Sequence, residues 1–122
     1  MLAFARERAA LRGKLGADST GKPVLRLADG RSVRLEGDVE TTGVLMDSRL
    51  AGADFEVLGK RVNDTLFRVD PMYTTAMFVF RQGRKLIITY WCDVCSIRTY
   101  TPGKCACCQK ETDLDLRDPD EK

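Results

Sequence analysis

The chain contains no histidine. That absence removes a Ser-His-Asp triad, a Cys-His dyad, two-histidine zinc chemistry, and histidine-ligated haem or copper. No run approaches the ~20 apolar residues that span a bilayer. The longest apolar stretches lie around Met77–Phe80 and Leu86–Ile88, so a membrane is not an expected partner. Met1–Ala5 is too short for the core of a signal peptide, and arginines follow at once. No targeting segment is therefore expected, which fits a cytoplasmic protein or the mature part of an exported bacterial one. Glycine-rich phosphate loops are missing, and the four serines have no histidine to activate them. The carboxylate pairs Asp113/Asp115 and Asp118/Asp120 sit in an acidic tail, where no core is expected to perturb them. Neither catalysis nor a small-molecule substrate is expected.

What remains is a soluble, globular balance: 122 residues, 43% hydrophobic, 31% charged, net charge +2. That length is one small domain, or one domain with an appendage, and at this size an extra staple helps. Charge is uneven. Residues 1–35 carry eight Lys/Arg against three acids, and residues 36–58 one against six. Residues 59–110 carry nine against three, and the tail 111–122 two against six. Such blocks make either solvated surface or binding patches.

Along the chain, residues 1–10 favour helix by propensity. Residues 11–15 alternate as a strand does, and residues 17–23 form a polar turn. Leu25-x-Leu27 and Val33-x-Leu35 read as strands joined through Ala28-Asp29-Gly30-Arg31, because Asp-Gly tolerates positive φ. Residues 40–50 read as a short helix capped by Thr41 or Thr42, with Val44, Leu45 and Leu50 inward. Phe55-x-Val57-x-Gly59 and Phe67-x-Val69 are strands separated by a turn at Asn63-Asp64. A second hairpin runs from Ala76 through a turn at residues 81–84 and returns over residues 85–91. The tail alternates at Leu114 and Leu116, then turns acidic and is expected to fray.

The order strand, hairpin, short helix, two strands resembles an OB-fold small barrel over residues 10–72. The segments LRLADGRSVRLEGD and RLAGADFEVLGKRVNDTLFRV carry the resemblance. The second is similar to the L-x-G-x-x-V-x-V-x-G strand-four pattern of many bacterial OB-like domains. An SH3-like or partial barrel fits the same order. The expected fold is mostly β: a small OB-like barrel with one short helix, followed by a C-terminal cysteine hairpin. Residues 1–75 would form the barrel with an N-terminal extension. Residues 76–122 would hold the hairpin, the cysteine segment and the acidic tail.

All five cysteines fall between Cys92 and Cys108. Cys92/Cys95 and Cys105/Cys108 are two C-x-x-C pairs, each turning two thiolates toward one point. Two facing turns supply the four sulfurs of a tetrahedral Zn²⁺ site. Residues 90–110 resemble a zinc ribbon, with a strand at residues 96–100 and a turn at residues 101–104. The same sulfurs would hold iron in a rubredoxin-like site, and disulfides or a redox dithiol are further readings. A four-thiolate zinc site is closed and would be structural. Lys104 and Arg98 are candidates to offset its negative charge. Cys107 is left over as a bystander, a substitute ligand or a free thiol.

The expected function is a non-catalytic zinc-binding module for binding or assembly, with an unidentified protein or nucleic acid as partner. One alternative is single-stranded nucleic-acid binding. Arg81, Arg84 and Lys85 at the hairpin tip, with Arg98, would meet phosphates, and Trp91 and Tyr100 would stack bases. Against this, the nine aromatics are few enough that a small core needs most of them. The other alternative is a thiol-redox or metal-handling protein that uses the cysteine cluster.

Overall fold

A computed structural model describes residues 9–119. Most of the expected helix at residues 1–10 lies outside this range. Ala9 and Ala10 already belong to a strand, β1 (Ala9–Ala17), paired with Gly59 and Leu58. β2 (Pro23–Arg26) and β3 (Ser32–Glu36) form the expected hairpin. Its turn is wider than a two-residue Asp-Gly turn. Only Gly30 takes positive φ (91°), while Asp29 Oδ1 accepts from the Arg31 N–H at 3.0 Å.

The helix α1 (Val39–Leu45) starts earlier than the sequence predicts. Asp38 caps it, accepting from the Thr41 N–H at 3.0 Å. Thr41, expected as a cap, is buried instead and would strike any Cβ at Gly37. The expected single helix to residue 50 is also broken. After α1 the chain reforms as a 3-10 turn, Ser48–Leu50, capped by Asp47. Val44, Leu45 and Leu50 point inward as predicted.

β4 (Asp54–Asn63) and β5 (Leu66–Val69) follow. β5 pairs in parallel with β3 and antiparallel with β4, and β4 pairs back to β1. The order β1-β2-β3-β5-β4-β1 closes a five-stranded barrel with the helix between its third and fourth strands, as the resemblance implies. Closure brings strands close together, and glycine permits one such approach at Gly59. A Cβ there would lie 2.0 Å from the Arg68 carbonyl oxygen and 2.9 Å from the Asp70 nitrogen, both backbone atoms. Neither can step aside as a side chain would. Gly59→Ala is expected to lower stability by about 3 kcal/mol in urea unfolding, the upper part of the overpacking range. Gly16→Ala, whose Cβ meets open space, is the control. Equal midpoints for the two variants would refute the close approach.

Beyond the barrel, β6 (Met77–Arg81) and β7 (Arg84–Cys92) form the second hairpin, turning on Gln82 (φ 53°) and Gly83 (φ 78°). β6 hydrogen-bonds to β4, so one sheet runs from the barrel wall into the C-terminal part. β8 (Ile97–Thr99) pairs with β7. The tail forms β9 (Asp113–Arg117) over the expected alternation at Leu114 and Leu116, and it also pairs with β7. Ile87 pairs with both Phe78 and Arg117, and Tyr90 with both Thr99 and Leu114. One edge of β7 therefore takes β6 and then β8, and the other takes β9. Ile88 and Tyr90 of β7 join the barrel's core beside Phe55, Val57 and Phe67, with Leu114 and Leu116 packed against them. Among the described residues, no helix is long and apolar enough to cross a membrane.

Candidate metal centre

β7 delivers Cys92 at its last residue, and the chain turns at once through Cys95 into β8. A second loop, residues 104–111, carries Cys105 and Cys108. It is closed at its base by a bridge between Lys104 and Glu111, and the Cys105 N–H donates to the Lys110 carbonyl at 2.7 Å. The two loops are built alike. In the first, the Cys95 N–H points at Cys92 Sγ at 3.4 Å. In the second, the Cys107 N–H points at Cys105 Sγ, also at 3.4 Å. The residue after each pair takes left-handed backbone, Ser96 at φ 55° and Gln109 at φ 64°. Glycine is the residue that takes this conformation without strain, and its absence here hides the likeness of the two loops from the sequence.

The sulfurs of Cys92, Cys95, Cys105 and Cys108 lie within 4.8 Å of one another, and those of Cys92 and Cys108 are 3.4 Å apart. Tetrahedral corners around zinc with bonds of about 2.3 Å stand about 3.8 Å apart. The four cysteines could therefore hold a metal ion with little movement. Cys92 and Cys105 are buried, Cys95 and Cys108 half-buried, and Cys107 exposed. The loop geometry has electrostatic consequences. Backbone N–H groups of Cys108 and Cys107 pull the Cys105 thiol down to about 7. The Cys107 thiol, burial and the other two nearby thiols push Cys95 up. Crowded thiols that cannot all ionise together are stabilised as thiolates by a shared cation.

A polar contact unmarked in the sequence fixes this hairpin to the barrel. Tyr90, fully buried, donates its hydroxyl to Asp47 Oδ2 at 2.8 Å. Asp47 also accepts from the Arg49 N–H and Nε, both at 3.0 Å on Oδ1, and from Nη2 at 3.0 Å on Oδ2. Arg49 reaches on to the Thr112 carbonyl at 3.0 Å. Burial raises the Asp47 carboxyl, but hydrogen bonds from Arg49 and Tyr90 outweigh it and hold the group below its ordinary value. Burial, followed by the bond to Asp47, drives the Tyr90 phenol well up.

The six residues singled out for nucleic acid do not form one free basic face. Arg84 is paired with Asp118, and Lys85 Nζ lies 3.0 Å from Glu56 Oε1 and 4.2 Å above the Phe78 ring. Arg98 donates to Asp115 at 2.8 Å and to Thr89 at 2.7 Å, and covers the ring of Trp91 at 4.9 Å. Arg98 is thus committed away from the cysteine cluster it was expected to neutralise. Asp115, expected in an acidic tail with no core to perturb it, is its half-buried partner. Lys104, Arg81 and Tyr100 are exposed. Tyr100 falls beyond the end of β8 and does not share a strand face with Arg98. No protein-family model, curated protein or solved structure matches the chain.

Proposed function

We propose that the chain is a non-catalytic zinc-binding module whose metal fixes the C-terminal hairpin against the barrel, presenting both for binding or assembly. The observation that carries this reading is the convergence of four sulfurs from two like-built loops. Cys92, Cys95, Cys105 and Cys108 would be the ligands, leaving no position for water or substrate. Zinc is favoured because an all-sulfur tetrahedral set in a closed site suits it. The pairing of Arg84, Lys85 and Arg98 with carboxylates weighs against the hairpin as a nucleic-acid surface. Native mass spectrometry of the purified chain should show one zinc per molecule, released by a chelator. A folded, metal-free protein carrying two disulfides would overturn the reading.

A further inference from the structure

A second group of cations lies elsewhere, on the wall of the barrel. Lys14 stands opposite Arg26 across the β1–β2 pair, and Gly16 opposite Val24. Directly opposed residues share a sheet face, and Arg12 joins that face by the two-residue period of β1. These residues line a groove of about 860 Å³ with Leu15, Leu27, Ala28 and Gly52 among its walls. The volume lies within the range of small-ligand pockets, which are mostly apolar with a few placed polar groups.

Three features of the groove point to what fills it. Its floor is open at Gly16, where an added Cβ would meet nothing within 4 Å, beside the edge of the largely buried Val24. Its rim carries three cations, Arg12, Lys14 and Arg26, against Asp54, and Glu56, opposite Arg12 in β4, is held by Lys85 at 3.0 Å. Asp54 is taken by Lys14 at 3.0 Å, leaving the arginines in excess. Arg12 is held 3.6 Å above the ring of Phe80, which fixes the guanidinium without neutralising it. A planar, fixed guanidinium binds carboxylate or phosphate through two parallel N–H donors.

We propose that this groove binds a small amphipathic anion: a carboxylate or phosphate between Arg12 and Arg26, with its apolar body over Gly16 and Val24. An aliphatic carboxylate and a nucleoside monophosphate share that chemistry and differ in the body. The site is built from barrel residues together with Phe80 of β6, and none of the candidate metal ligands lines it.

The test uses the full, metal-loaded chain and follows glycine amides by ¹H–¹⁵N NMR, titrating laurate and adenosine monophosphate separately. At least one probe should shift the Gly13, Gly16 and Gly52 amides saturably, with a Kd below about 1 mM. Saturation with laurate alone assigns an aliphatic body, with the nucleotide alone a planar one, and with both an oxyanion site tolerant of either. Arg12→Gln with Arg26→Gln should weaken binding at least about tenfold, the loss of about 1.4 kcal/mol or more. Arg81→Gln, an exposed arginine outside the groove, should not. Gly16→Leu places a side chain in open space without positive-φ strain and should fold, yet abolish binding. No saturable shift with either probe, or undiminished binding to a folded Gly16→Leu protein, overturns the proposal.

Discussion

Cys95→Ser is expected to lose the metal and with it the ordered hairpin from Cys92 to Glu111, while Cys107→Ser keeps both. The asymmetry follows from position. Cys95 Sγ is one of four sulfurs within 4.8 Å of each other, whereas Cys107 is exposed and its thiol touches Cys95 from outside that group of four. Structural zinc contributes about 10–16 kcal/mol in small peptides at neutral pH. That equals or exceeds the ~5–15 kcal/mol net stability of a whole domain. Apart from the metal, the loops are held by a three-residue strand, β8, one bridge and a few backbone hydrogen bonds, with none of their side chains in the main core cluster. The barrel, with its own core and closed hydrogen bonding, should survive. Far-ultraviolet circular dichroism with zinc analysis reads the difference. The ligand assignment fails if Cys107→Ser releases metal as readily as Cys95→Ser.

Asp47→Ala should cost about 3 kcal/mol in urea unfolding. Breaking a fully buried pair costs about 3–5 kcal/mol, and the remaining solvent contact of Arg49 places this one at the low end. The Asp47 side chain is only 5% exposed, and its loss strands the buried Tyr90 hydroxyl and releases Arg49 from the turn. The pH dependence has two limbs. Asp47 is held below its ordinary value when folded, so its contribution is complete above the unfolded carboxyl's value of about 3.9 and fades as pH falls through the folded value. Tyr90 is raised when folded, so its contribution is complete below about 10 and fades as pH rises beyond that. The stability gap between the native protein and Asp47→Ala should be flat between those limits and narrow outside them. Tyr90→Phe should remove the alkaline limb and keep the acid one. A gap independent of pH at both ends would contradict the buried bond.

Local chemistry made part of this structure readable. The Asp29-Gly30 and Gln82-Gly83 turns, the alternation of Phe55 and Val57, and the paired C-x-x-C spacings act over a few residues and predict their elements directly. Competition between equivalent local choices was harder to read. Asp38, Thr41 and Thr42 are all cap formers, and burial of Thr41 against Gly37 decides for Asp38. Contacts between distant residues left no trace. Asp47 and Tyr90 are 43 positions apart, and Arg84 and Arg98 find carboxylates 34 and 17 positions away. A count of basic residues sees their charge but not its cancellation, which is why the hairpin looked like an anion surface. The acidic tail misled in the same way. Its charges suggested solvent, but Leu114 and Leu116 bring β9 onto the core and Asp115 onto Arg98.

The pairing of β9 with residues 87–91 also sets an order of events on the ribosome. All four candidate ligands have been synthesised once Cys108 is made, but the strand that covers the second edge of β7 is complete only at Arg117. Along the chain, the full set of thiols therefore precedes the strand that closes this edge. Metal capture can thus come first and hold β7 in place as the template onto which the last strand adds.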